Sequence, residues 1–416
     1  MRHVGVVLSV VCLLATAGVV LGDVHVNVPS DYPTIQAAIN SLDPADLNRI
    51  YLAPGVYNEC ITVDRAVIII GHGEDTILRA PRGSTEPVIT VIELPEDNDR
   101  FALKDVFVKW CANSQGAIVC KENSWSVIEK CIITGSASAG IHTYFAAGVM
   151  VKDCNIHKNA GHGVEMWMPA GQRNHIVERC DIHHNGKRGV WITLPGGLGS
   201  GGELPMTRVS NCVIRNNSGG GVELLNELQA RIRYCTIVQN NAPTGAGISV
   251  LGPGKPRVEY CIVASNVTGE GIFVASAATA VVSHCDFFNN QGGAWSGADC
   301  QYDSSTCFSE DPLFANPAGG DYHLKSTAGR WDPAEGIWVN DAVTSPCIDA
   351  AAQAEDIGAE PDPNGGIPNI GAYGWTTEAS KTPPDGTGRD KGRDQGKEKP
   401  EEGTDRKIRQ RPKPGR

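Results

Sequence analysis

Between residues 125 and 290 the chain alternates short apolar runs of two to five residues with polar punctuation, and the pattern returns every 23 to 32 residues. Each unit reads Val or Ile, two polar residues, Cys, any residue, an apolar residue, two more, then Asn. Val177-Glu178-Arg179-Cys180-Asp181-Ile182-His183-His184-Asn185 is one copy, and Val209-Ser210-Asn211-Cys212-Val213-Ile214-Arg215-Asn216-Asn217 is the next. The cysteines are Cys131, Cys154, Cys180, Cys212, Cys235, Cys261 and Cys285, and from the second onward Asn159, Asn185, Asn217, Asn240, Asn266 and Asn290 each follow five residues later. A Gly with a β-branched neighbour comes next, from Gly140-Ile141 through Gly163-Val164, Gly189-Val190, Gly221-Val222 and Gly247-Ile248 to Gly271-Ile272. Self-similarity at this period means a solenoid. Runs this short, alternating in and out and punctuated by Gly and Asn, are strand chemistry and not helical repeats.

If each unit is one coil, equivalent side chains stack at about 4.8 Å. The cysteines then form an inner column of small polarizable groups and the asparagines a hydrogen-bonded column at a turn that tolerates left-handed backbone. Disulfides along the cysteine column are disfavoured, because parallel Cβ vectors stay about 4.8 Å apart where a bridge wants about 3.8 Å. Residues 50–300 would make nine or ten coils. The expected class is all-β, a single-stranded right-handed parallel β-helix.

Val28-Pro29-Ser30-Asp31-Tyr32-Pro33-Thr34-Ile35-Gln36-Ala37-Ala38-Ile39, followed by Ile50-Tyr51-Leu52-Ala53-Pro54-Gly55-Val56-Tyr57-Asn58-Glu59, resembles the opening of pectin-lyase-like β-helix proteins. There a short amphipathic helix caps the first coil, which would otherwise expose its core and a strand edge. Asp311-Pro312-Leu313-Phe314, Ser345-Pro346-Cys347-Ile348-Asp349 and Ile370-Gly371-Ala372-Tyr373-Gly374 resemble the closing segment of bacterial secreted members. The resemblance covers about 28–375 and is specific for fold. The expected organisation is therefore a signal peptide over 1–22, an N-terminal strand and capping helix over 23–49, coils over 50–300, a closing segment over 301–376 and a disordered charged tail over 377–416.

The first 22 residues carry a polar start, an apolar run from Val4 to Leu21 and a compact Val20-Leu21-Gly22, the form of a secretory signal. A secreted, periplasmic or cell-surface location follows, with no membrane span, since no later run is long and apolar enough. The chain carries a formal charge of −11. Residues 381–416 hold 12 Lys/Arg and 7 Asp/Glu, which leaves −16 on the rest, so nucleic acid is not an expected partner. A monomer is expected, and no cofactor or metal is called for. Removal of the signal leaves 13 cysteines, an odd number, and the sequence does not assign the pairing of Cys60, Cys111, Cys120, Cys300, Cys307 and Cys347.

The catalytic motifs of related enzymes are absent. Asp286-Phe287-Phe288 faintly echoes a pectinesterase motif but has no aspartate partner, and Gly71-His72-Gly73 and Gly161-His162-Gly163 lack the aspartates of a polygalacturonase, so these tripeptides read as turns. The strands that begin at each Gly offer more. The residue after the first β-branched position should point outward, which stacks His142, Glu165, Trp191, Glu223, Ser249 and Phe273, with Tyr144, Trp167 and Thr193 beside them. Aromatic rings suit the apolar face of a pyranose, and carboxylates suit hydroxyls or proton transfer. Trp191, Trp167, Tyr144, Thr193 and Phe273 are the expected substrate contacts. Glu165, Glu223 and His142 are the candidate catalytic groups, in an inverting arrangement two coils apart. Gly/Pro-rich insertions at 169–174 and 195–205 would wall the groove.

Three readings follow: a β-helix that binds a polysaccharide on one outer face and, if it is an enzyme, cleaves or modifies it there as hydrolase or lyase; a non-catalytic structural or adhesive solenoid; and a periplasmic metal-binding module. The last rests on Asn155, His157, Asp181 and His183, stacked on adjacent coils.

Overall fold

A computed structural model describes residues 23–384 apart from 45, 93, 95–99, 122, 145–146, 168–173, 194–206, 227–228 and 298. The expected signal peptide and both expected insertions, Asn174 excepted, lie outside the described residues.

The chain winds as a right-handed parallel β-helix. One coil runs through His175–Glu178 in a first sheet, Asp181–His183 in a second and Val190–Thr193 in a third. Each strand pairs in parallel with its counterpart one coil on, as Glu165↔Trp191↔Glu223 does in the third sheet. That sheet has ten strands, while the first and second are joined into one ladder through the long strands Val67–Arg79 and Phe101–Cys111. Val, Ile and Leu on the inward side of all three sheets are almost completely buried and form one continuous core.

The two repeat columns define the corners. Each column cysteine is buried, and its thiol points at a carbonyl one coil back, Cys154 at Ile128 (3.4 Å) and Cys235 at Val209 (3.5 Å). Cys307 extends the column by one more turn, its thiol 3.8 Å from the Val282 carbonyl. All 13 cysteines of the described residues are unbridged. All seven column thiols are closed off from solvent, at most 2 % exposed. The native protein should therefore leave the column unmodified by a thiol reagent that reaches the half-buried Cys60 and Cys300, and label all 13 after denaturation. Disulfides mapped by mass spectrometry between Cys154 and Cys180 would contradict this register.

The asparagines form a ladder. Asn185 Nδ2 donates to Asn217 Oδ1 (3.0 Å) and to the Ile156 carbonyl (3.1 Å), and Asn217 repeats this toward Asn240 and Ile182 (3.0 and 2.9 Å). The left-handed residue is not the asparagine itself, as the sequence suggested, but the one before it: Lys158, His184, Asn216, Gln239, Ser265 and Asn289 have φ of 51° to 55°. The residues before the cysteines do the same, from Lys130 to His284. This places the Asn side chain inward, where only another amide satisfies it. Gly163 has no room for a side chain at this corner, since a Cβ would lie 2.6 Å from the Gly189 carbonyl oxygen and 2.9 Å from Asn185 Nδ2.

A helix over Ile35–Ser41 covers the first coil with Ile35, Ala38 and Ile39, capped by Thr34 and by the Glu59 carboxylate, which accepts from the Ile35 and Gln36 amides. Beyond Phe308 the chain turns back along the solvent side of the second sheet. Tyr322, Leu324, Ile348 and Ile370 there cover Val213, Val238, Ile262 and Ala264 in a second core. Asp286, whose motif echo read as structural, is fully buried and accepts from the Glu310 amide (3.0 Å), helping to pin this return. The packed segment continues past the expected start of the tail at 377: Ala379 is buried, Ser380 Oγ donates to the Leu324 carbonyl (2.6 Å) and Thr382 Oγ1 to Asp349 (2.7 Å). Its polar composition hid these bonds. Residues 385–416 lie outside the described residues.

The returning segment contains a strained acid. Burial pushes Glu360 up to about 8, against the amides of Trp375 and Asn369 that donate to it (2.7 and 2.8 Å). Its folded value is raised, so its contribution is complete below the ordinary glutamate value and is lost as pH rises through about 8. Glu360→Gln should match the wild-type melting temperature below about pH 4 and exceed it increasingly toward pH 8 in parallel thermal scans. A difference independent of pH would contradict the assignment.

Candidate functional site

The third sheet presents the expected row in register. His142 pairs with Glu165, Glu165 with Trp191, Trp191 with Glu223, Glu223 with Ser249 and Ser249 with Phe273. Inward neighbours such as Val190 and Ile192 are buried, which turns the residues between them outward.

The row divides into two clusters. In the first, His142 Nδ1 lies 3.3 Å from Glu165 Oε1, and the same oxygen accepts from Trp167 Nε1 at 2.9 Å. The rings of Tyr144 and Trp167 pack on the His142 imidazole at 4.5 and 5.5 Å, and Gln115 Nε2 donates to the Tyr144 hydroxyl. Burial raises Glu165, but the adjacent imidazoles of His142 and His162 and the Trp167 N–H outweigh it and hold the carboxyl below its ordinary value. In the second, Glu223 Oε1 accepts from Trp191 Nε1 (2.8 Å) and Oε2 pairs with Arg188 (2.8 Å). His162 stacks on the Trp191 ring at 5.0 Å and 14°, and burial brings its imidazole down to about 4.

His162 and Arg188 escaped the sequence reading. Each immediately precedes the Gly of its repeat, so their alignment one coil apart was available as a signal, but Gly161-His162-Gly163 reads as a turn and Arg188 belongs to no motif.

The geometry bears on the roles assigned from sequence. An inverting pair needs one protonated carboxylic acid, yet Glu165 is held below its ordinary value and both oxygens of Glu223 are engaged. His142 is 4 % exposed, beneath two aromatic rings, and does not reach the surface. Thr193 is also buried, whereas Tyr144, Trp167, Trp191 and Phe273 are half-exposed and form an aromatic band along the helix axis.

On the second sheet, His157 and His183 stack at 4.8 Å and Asn155 bonds His183 Nε2 (3.0 Å), but Arg215 takes both oxygens of Asp181 (3.0 and 2.8 Å). Among the described residues no three His, Cys, Asp or Glu side chains converge as a metal site. No helix among them is long and apolar enough to cross a membrane.

The family model for the right-handed β-helix region matches residues 96–198 and 170–308. The chain belongs to the right-handed β-helix family. Solved structures similar to this chain include pectate lyase Pel9A, 12 % identical over 85 % of this chain and 97 % of that one, with a TM-score of 0.49. The periplasmic alginate epimerase AlgG is 14 % identical over 67 % of this chain and 72 % of its own, with a TM-score of 0.42. An alginate lyase from Paenibacillus is 13 % identical over 66 % and 94 % of the two chains, with a TM-score of 0.38. No curated protein matches the sequence.

Proposed function

We propose that this right-handed β-helix binds a polysaccharide along the outer face of its third sheet, after secretion to the periplasm, cell surface or medium. The observation that carries the reading is the axial band Tyr144, Trp167, Trp191 and Phe273 with Glu165 and Glu223 fixed between the rings. Each carboxylate holds an indole N–H, so the rings are set before a ligand arrives and little side-chain freedom is lost on binding. Tyr144, Trp167 and Trp191 lie on three successive rungs, the first two rings 5.9 Å apart, and Phe273 lies three rungs beyond Trp191, a row along the axis suited to the apolar faces of an extended chain of pyranoses. The buried His142 and the doubly bonded Glu223 act as positioning residues in this account, which favours binding over hydrolysis at the row. The test is a glycan panel probed with the full chain, in parallel with an assay for new reducing or unsaturated ends. Binding without new ends supports the proposal, and a panel with no binder would leave the adhesive solenoid as the better account.

A further inference from the structure

We propose a second binding site, for an extended acidic glycan, in an axial cleft at the corner between the second and third sheets. This cleft of about 800 Å³ runs over six successive coils, from Asn58 to His184 and Gly186, and Trp191 is not among its lining residues.

Its charge sets it apart. Arg79, Arg82 and Lys158 line it, and no Asp or Glu does among the described residues, although the chain has 47 acids against 36 Lys and Arg. Arg82 and Lys158 are exposed and make no ion pair among the described residues. A cationic strip on an acidic body confines an anion to the strip, because the surrounding surface repels it.

Its shape selects a thin chain. The corner row reads Trp110, Gly135, Lys158 and His184, all with positive φ, and Trp110, Lys158 and His184 line the cleft beside Ser136, Ala137 and Ala160. Trp110 is 57 % exposed and lies across Gly135, where a Cβ would come within 2.9 Å of its ring. Arg79 and Lys109 approach the same indole at 5.4 and 4.5 Å from its centroid. A large ring left in solvent between cations is a platform for the apolar face of a sugar whose carboxylate meets the guanidinium. Arg79 and Lys158 are three rungs apart, about 14 Å, so one linear chain spans both.

The experiment titrates oligogalacturonate into the full chain at low salt, with dextran and poly-L-glutamate as comparison ligands. The wild type should bind oligogalacturonate, at least about tenfold more tightly than polyglutamate, and the affinity should fall as salt rises. Arg82→Glu/Lys158→Glu, at exposed positions and checked for an unchanged melting temperature, should weaken it about tenfold or more, and Trp110→Ala by a similar factor. Trp191→Ala should leave it within about twofold, which separates this site from the third-sheet face. Failure of oligogalacturonate to bind, equal binding of polyglutamate, or an affinity that survives the double charge reversal would each overturn the proposal. So would loss through Trp191→Ala alone, which would assign the ligand to the third-sheet row.

Discussion

Replacing Asn217 by Ala should destabilise the protein by about 3–5 kcal/mol, lowering its melting temperature by roughly 4–7 °C. Asn217 is fully buried at the centre of the ladder. Its Oδ1 accepts from both the backbone and the side-chain amide of Asn185, and its Nδ2 donates to Asn240 and to the Ile182 carbonyl. Truncation therefore takes a partner from groups on both flanking coils at once, with no protein atom placed to replace the amide. Asn290, at the ladder's end and 9 % exposed, is the internal comparison, since water can reach the groups it would leave. Asn290→Ala should cost clearly less in the same thermal or urea melts. Equal and small effects at the two positions would mean that the ladder is tolerated by the fold and does not stabilise it.

That ladder was legible because its period is. A five-residue interval from Cys to Asn, repeated six times, fixes the coil length and therefore the register, which in turn stacks Glu165, Trp191 and Glu223 without further information. Partners from outside the strands were not legible. Arg188 reaches Glu223 from a corner turn, and nothing in the spacing says that its side chain folds toward the third sheet. Val213, Val238, Ile262 and Ala264 occupy outward positions of the second sheet, where the repeat alone gives no reason for apolar residues. They are apolar because the returning C-terminal segment covers them, a contact between residues about a hundred positions apart. The cationic cleft was hidden for a related reason: Arg79, Trp110 and Lys158 become neighbours only through the winding of the coil.

The second large effect concerns the third-sheet face. Trp191→Ala should weaken binding of any polysaccharide held there by about 30- to 150-fold, the equivalent of removing about 2–3 kcal/mol of buried ring contact. Glu223→Gln keeps an oxygen for the Trp191 N–H but loses the ion pair with Arg188, so the ring is held less firmly and the loss should be about two- to tenfold. Glu165→Gln should fall in the same modest range, because its Oε1 bond to Trp167 survives as a neutral one. Were the row catalytic, either Glu→Gln change would remove turnover while leaving affinity nearly intact, the reverse of the order predicted for a binding site.

Isothermal titration of one polysaccharide identified by the glycan panel, into wild type and Trp191→Ala at matched melting temperature, tests the central claim most directly. The account predicts that the wild type binds and that Trp191→Ala loses at least about 30-fold in affinity. Unchanged affinity in Trp191→Ala would place the ligand elsewhere and leave the row of His142, Glu165, Trp191 and Glu223 as ordinary β-helix surface.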